Sequence, residues 1–402
     1  MTTVVGLDVS KASVTVCVLK ERPADVREAF YDQDFLTLPA NAEGLRQLLA
    51  IAPTVAVMEP TGVNYSRLWG THLARAGVPV WLVGHTQLHG YRKTHLDLPD
   101  KDDDADALAL ACYWWDYHQD SRRFVQQRDP TIARIRELVL RLAHLARVQS
   151  PVINRLRQDL AWQVPEIALC QSKRRADGTY PLWSVLAGDE TRPKIAKTIA
   201  QTVGTGLQPP AIAAARRLND IGREEVLYER ELAKLMSRPE FTPYRRVFAR
   251  FGFGQRVQAI LLSQIFPFEG FLGPDGRAIV KVRKGRESKK PSKKRISERR
   301  FRKALGMAPE KKESGDKSQT KLVGGSDLCR KTLWQWVFTC IEVTKSRPRN
   351  AIGDRLGQEL DELKASGHPV KKARMKVAGR AVNLLFNELL RVVADGGATE
   401  EE

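Results

Sequence analysis

Apolar positions in the first 120 residues fall into short runs separated by stretches of helical period. Val4-Val5-Gly6-Leu7-Asp8-Val9 and Ser13-Val14-Thr15-Val16-Cys17-Val18-Leu19 read as strands, and the Ser10-Lys11-Ala12 between them suits a hairpin turn. Leu45, Leu48 and Leu49 repeat at helical spacing between Asn41 and Ile51. Thr54 to Met58 reads as a strand, Tyr65 to Ala76 as a helix, and Val78 to Val83 as a further strand. Asp103 to Tyr117, rich in Ala and Leu, reads as a helix. Two antiparallel strands followed by αβ units predict a mixed sheet flanked by helices.

The period changes near Pro130. Ile132, Ile135, Leu138, Leu142, Leu145 and Val148 recur at threes and fours, with Arg and His between them. They predict a long amphipathic helix to about Leu160, the outgoing arm of a coiled-coil hairpin whose returning arm is Ile221 to Met236. Pro151 should kink or interrupt it. Residues 170–210 carry no clear period. The last block opens near Tyr244, where Phe251-Gly252-Phe253-Gly254 precedes an apolar helix, Val257 to Ile265. Leu333 to Val343 and Ala381 to Val393 are further apolar helices. These shifts divide the chain into 1–125, 126–240 and 241–402.

The chain has 402 residues, of which 42% are hydrophobic, enough for several cores. No stretch approaches the roughly 18 to 20 apolar residues that span a membrane. The opening Met1-Thr2-Thr3-Val4-Val5 has no signal-peptide pattern, so a cytoplasmic address is expected. Cys17, Cys112, Cys170, Cys329 and Cys340 are odd in number and form no C-x-x-C pair, which argues against a disulfide framework or zinc knuckle. Net charge is +19 and unevenly placed: residues 1–120 hold 10 basic and 16 acidic residues, so the excess lies beyond them. Residues 281–303 alone hold 13 Lys or Arg against two Glu, a composition that fits a loop or solvated strand pair better than core. An acidic domain joined to a basic body suits a phosphate-binding protein with a cation site.

Asp8 and Glu59 each end an apolar strand, where a carboxylate is expensive unless paired or metal-bound. Asp103 and Asp106 stand three apart at a helix start and share one face. Four such carboxylates at one sheet edge suit phosphodiester transfer, because two Mg²⁺ ions about 3.5–4 Å apart clamp both attacking and leaving oxygens. A solvated acidic run before a helix, favoured by the helix dipole, is the plainer explanation for Asp100 to Asp106.

Gly6-Leu7-Asp8-Val9-Ser10-Lys11, Met58-Glu59-Pro60-Thr61-Gly62 and Lys101-Asp102-Asp103-Asp104-Ala105-Asp106-Ala107 together resemble the DEDD transposases of insertion sequences, relatives of the Piv-type DNA invertases. The resemblance implies an α/β RuvC-like, ribonuclease-H-like domain at 1–125, a helical coiled-coil segment at 126–240 and a mainly α, basic transposase domain at 241–402. It maps the catalytic and metal-binding acids onto Asp8, Glu59, Asp103 and Asp106, with Mg²⁺ as cofactor, two ions per site. Three consecutive Asp depart from the usual family pattern and leave Asp102 as an alternative ligand to Asp103.

Ala304-Leu305-Gly306-Met307-Ala308-Pro309 with Glu313-Ser314-Gly315 resembles the family's Gly-Leu-x-Pro segment and downstream Ser-Gly, and implies Ser314 as a nucleophile forming a covalent 5′-phosphoserine link to DNA. By itself Ser-Gly reads as a loop, and nothing else separates Ser314 from Ser318 or Ser326. Phe251-Gly252-Phe253-Gly254 matches a phosphate-contacting turn of the family or is a simple tight turn. Lys281, Arg283, Lys284, Lys289, Lys290, Lys293, Lys294, Arg295, Arg299 and Arg300 are the candidate nucleic-acid contacts, and the interspersed Ser288, Ser292 and Ser297 point to a flexible tracker of the phosphate backbone. The resemblance further implies donor and target DNA as partners, a structured bridge RNA as guide, and dimers or tetramers whose protomers share active sites. A prokaryotic enzyme, nucleoid-associated on DNA, follows. Two other functions fit the same residues: a RuvC-like metal-dependent endonuclease or junction resolvase using water, and a non-enzymatic nucleic-acid-binding protein.

Overall fold

The alternation in the opening runs folds as expected. In the computed structural model, which describes residues 2–62, 64–99, 102–125, 129–284, 291–314, 317–322 and 324–394, β1 (Val4–Val9) pairs antiparallel with β2 (Ser13–Leu19). β3 (Leu36–Pro39) pairs antiparallel with β2, β4 (Val55–Met58) parallel with β1, and β5 (Val80–Leu82) parallel with β4. The order is β3-β2-β1-β4-β5, a mixed sheet. Between the strands run α1 (Val26–Asp32), α2 (Ala42–Ala50) and α3 (Tyr65–Arg75), and after β5 come α4 (His85–Gly90, continued by a π turn Tyr91–His95) and α5 (Asp103–Tyr117).

Side chains alternate across a strand, so each sheet face has its own core. Val5, Leu7, Val14, Val16, Ala56 and Met58 pack with Leu48, Trp69 and Leu73 of α2 and α3. Val4, Cys17, Leu19, Val55 and Val57 pack with the Ala-rich side of α5. Gly6 also faces α5. A Cβ added there would lie 2.0 Å from the Ala107 carbonyl oxygen and 2.7 Å from the Ala111 nitrogen. Glycine in a strand here marks a backbone-to-backbone approach that no side chain fits. Gly6→Ala is therefore expected to lower stability by about 1–3 kcal/mol, read as a drop in melting temperature, because α5 must move off the sheet.

Beyond residue 128 the chain is helical apart from two hairpins. α6 (Pro130–Gln163) is followed by α7 (Pro181–Ala187), α8 (Pro193–Ala200) and α9 (Pro209–Met236). α9 returns along α6: Ile132 to Leu142 share a core with Leu232 and Met236, while Leu156 and Leu160 share another with Ala211, Ala215 and Leu218. Arg134 donates to both Glu231 carboxylate oxygens, at 2.6 and 2.8 Å. The returning arm begins earlier than Ile221. The interruption expected at Pro151 does not occur, and α6 runs through it as one helix. Pro151 and Arg147 lie on an exposed stretch, so the carbonyl deprived of its donor is left to water, while buried leucines hold the turns on either side.

The remaining helices are α10 (Thr242–Arg250), α11 (Gln255–Ile265), α12 (Ile296–Ala304), α13 (Asp327–Trp336), α14 (Ala351–Ala365) and α15 (Val370–Leu389). They enclose an aromatic core in which Phe268, Phe301 and Phe386 meet edge to face or tilted. β6 (Val280–Lys284) and β7 (Pro291–Arg295) form one hairpin, and β8 (Pro309–Ser314) and β9 (Lys317–Leu322) the other. By contacts the chain divides into two compact units, Met1–Arg128 and Asp129–Glu402. Among the described residues, no helix is long and apolar enough to cross a membrane.

Candidate active site

Strand alternation carries two of the acids to the α5 face. Asp8 stands two residues beyond Gly6 on β1, and Glu59 two beyond Val57 at the end of β4. Leu7 is in register with Met58, so Asp8 and Glu59 stand side by side on adjacent parallel strands. On α5, Asp103 precedes Ala107 by one helical turn and Asp106 by one residue. The contact between Gly6 and Ala107 thus sets the first turn of α5 over the ends of β1 and β4.

The electrostatics agree. The Asp8 carboxyl is pushed up to about 7, first by burial and then by the negative charges of Asp106, Asp103 and Glu59, against the pull of Arg92. Burial also raises Asp106, partly offset by Arg92, whose Nη1 donates to Asp106 Oδ1 at 2.7 Å. Arg92 is only 5% exposed, so this ion pair sits in a largely water-excluded place. Glu59, 9% exposed, is joined by its Oε2 to His85 Nδ1 at 2.8 Å, and this bond raises the His85 pKa. Sequence reasoning missed both of these partners. The only signal was the basic cluster His85, His89, Arg92, Lys93 and His95, between the last strand and the acidic helix.

Asp102 has a different occupation from its neighbours. It is the N-cap of α5, and its Oδ1 accepts from the Asp104 and Ala105 backbone N–H groups at 2.9 and 3.2 Å. Asp103 is exposed, in the first helical turn beside Asp106. Among the described residues, no three His, Cys, Asp or Glu side chains are drawn together tightly enough to hold a metal ion. Asp106, Asp103 and Glu59 are all within electrostatic reach of Asp8, and two of the four acids are engaged by Arg92 and His85. The donor set still suits a hard divalent cation: all the donors are carboxylate oxygens, and burial among the other acids lets one of them keep its proton near neutrality.

A pH prediction follows for the metal-free protein. Asp8 loses its proton near 3.8 in the unfolded chain and near 7 in the folded one, so the folded state holds the proton more tightly. Stability through this group therefore declines as pH rises from about 4 to about 7, and stays reduced above. Asp8→Asn removes the penalty. In chelator, its melting temperature should exceed that of the parent at pH 8, by on the order of 2 kcal/mol of stability, with the gap closing toward pH 4.

The other predicted residues lie in the second unit. Ser314 is the last residue of β8, in register with Lys317 of β9, and so stands at the hairpin tip. Lys281, Arg283 and Lys284 lie on β6, Lys293, Lys294 and Arg295 on β7, and Arg299 and Arg300 on α12; all are exposed. Lys289 and Lys290 fall outside the described residues, as does Ser288. The loop or solvated strand pair expected here is an exposed antiparallel ribbon. Ser297 is no flexible spacer but is buried, its Oγ accepting from the Ile279 backbone N–H at 2.8 Å. In Phe251-Gly252-Phe253-Gly254, Gly252 turns the chain at φ +64° and Gly254 leads into α11.

Compared with protein families, residues 5–165 match the model of DEDD transposases of the IS110 type, described as a transposase. The match runs from β1 to the end of α6, so it covers all four acids and stops short of Ser314 and the basic ribbon. No curated protein matches the chain.

Proposed function

We propose, on the footing that residues 5–165 match the model of DEDD transposases of the IS110 type, that the chain cuts and exchanges DNA strands through a metal-assisted carboxylate site and a covalent serine–DNA intermediate, guided by a bridge RNA. The coarse activity, a transposase acting on DNA, comes with the family. The observation that carries the carboxylate site is the state of Asp8, a partly buried carboxylate raised to about 7 first by burial and then by three other acids at the family's motif positions.

Asp8, Glu59, Asp103 and Asp106 would hold Mg²⁺, two ions per site, in a RuvC-like domain. Bound there, the ions supply charge neutralisation for the phosphoryl oxygens and the leaving oxygen. Arg92 keeps Asp106 turned into the site, and His85 does the same for Glu59. The capping bonds of Asp102 favour Asp103 as the ligand. Ser314 Oγ attacks a backbone phosphorus. The Oγ–P bond forms, the P–O3′ bond breaks, the hydroxyl proton passes to solvent, and the departing 3′ oxygen takes up a proton. The 3′-OH of a second strand then reverses the exchange and frees the serine. The α6 region would join protomers into a dimer or tetramer, so that acids and serine of one site come from different copies.

The test is recombination by the full chain on plasmids carrying the DNA that flanks its gene, with and without RNA transcribed from that flank. Exchange that requires Mg²⁺ and the RNA is expected, with loss on chelation. Exchange that persists in chelator overturns the carboxylate site. Cut ends with free 5′-phosphates and no attached protein would instead mark a nuclease that uses water.

A further inference from the structure

The hairpin of β6 and β7 contributes nothing to any core. All ten of its strand residues are exposed. Two-stranded hairpins without an apolar face are marginal by themselves. This one is mounted firmly nonetheless. Ile279 donates its backbone N–H to the buried Ser297 Oγ at 2.8 Å, and Ile296 returns a backbone bond to the Ile279 carbonyl at 2.9 Å. β7 then runs directly into α12, whose Phe301 is fully buried among Phe268, Phe271 and Phe386. A rigid base under a projecting ribbon implies a surface made for a partner.

Composition identifies the partner's chemistry. Six of the ten strand residues are Lys or Arg and none is acidic. Among the described residues, only Arg295 of the six has an acidic partner, Glu298 at 3.4 Å. Lysines along both strands also discourage pairing with another protein's strand edge. The register divides the ribbon into two unlike faces. Lys281 stands opposite Lys294 and Arg283 opposite Ser292, giving one wholly polar face. Val280 stands opposite Arg295 and Val282 opposite Lys293, giving a mixed face with two valines 49% and 59% exposed.

We propose that this ribbon inserts into the major groove of duplex DNA. Val280, Val282, Lys293 and Arg295 face the base edges, while Lys281, Arg283 and Lys294 reach the flanking phosphates. The B-form major groove, about 12 Å wide, admits a two-stranded ribbon and presents thymine methyls and guanine acceptors, which match Val and Arg or Lys. The deep, narrow groove of an A-form helix admits neither, so duplex DNA is favoured over RNA. The inference deepens the DNA-acting reading above, yet its test needs neither metal, serine nor recombination.

The test is binding of the full chain to 30-base-pair duplexes without divalent metal, followed by fluorescence anisotropy across a salt series. The exposed ribbon can be substituted without removing core packing. Lys281→Ala/Arg283→Ala/Lys294→Ala should lower the slope of log affinity against log salt by about 2 to 3, near 0.9 per lost phosphate contact. On a duplex whose major groove is filled by glucosylated hydroxymethylcytosine, the parent should bind about tenfold more weakly, one lost base contact's worth. Val280→Ser/Val282→Ser should bind the open duplex more weakly with an unchanged salt slope, and a minor-groove blocker should leave the parent unaffected. Indifference of the parent to the filled major groove would overturn the proposal. So would a loss in the triple variant that is equal on double-stranded RNA, which would make the ribbon an RNA surface.

Discussion

Asp8→Ala in the full chain should reduce strand cleavage and exchange by about three orders of magnitude while changing DNA affinity less than twofold. Asp8 sits where burial and three neighbouring acids act together, and it is the member of the set most in need of a cation. A cation held against a scissile phosphate is worth several kcal/mol in the transition state, and each 1.36 kcal/mol is tenfold in rate. The alanine removes that and also removes a repulsive buried charge, so the fold should be unharmed or firmer. The comparison that sharpens the result is at the neighbouring aspartates. Asp103→Ala should be as inactive as Asp8→Ala. Asp102→Ala should keep most activity and lose about 1 kcal/mol of stability, because it removes a helix cap. Full activity in Asp8→Ala, assayed alongside the melting curves, would remove the carboxylates from the chemistry.

Much of this site was legible because its local rules are short-range. Short apolar runs put Asp8 and Glu59 toward strand ends, and three-residue spacing put Asp103 and Asp106 on one helix face; the strands, α5 and the register bear out those placements. What stayed hidden depends on tertiary approach. Gly6 read as one more residue of an apolar run, yet it lets α5 close onto β1. Arg92 did not stand out in the sequence, yet the fold buries it against Asp106. Pro151 was expected to kink or interrupt a helix; the helix is not interrupted, because intrinsic propensity yields where packing holds both flanks. Ser297 illustrates the same limit. Its setting in a run of charge suggested flexibility, whereas a single hydrogen bond to Ile279 makes it the anchor of the ribbon.

Ser314→Ala should abolish the denaturant-resistant protein–DNA adduct completely and leave duplex binding intact. Removing a nucleophile's only reacting atom allows no partial result, whereas a positioning residue would leave a slower reaction. The position has the right setting for such a role, at the tip of the β8–β9 hairpin. The nearby serines supply the controls. Ser326 is the N-cap of α13, its Oγ accepting from the Cys329 backbone N–H at 3.2 Å, so Ser326→Ala should cost about 1 kcal/mol of stability and retain the adduct. Ser318 lies across the hairpin, in register with Glu313, and Ser318→Ala should likewise retain it. The adduct is read as labelled DNA that stays with protein on a denaturing gel after quenching in chelator, and protease should release it. An adduct of normal yield in Ser314→Ala, lost instead with Ser318 or Ser326, would move the nucleophile. Exchange without any adduct would leave the acids to work with water.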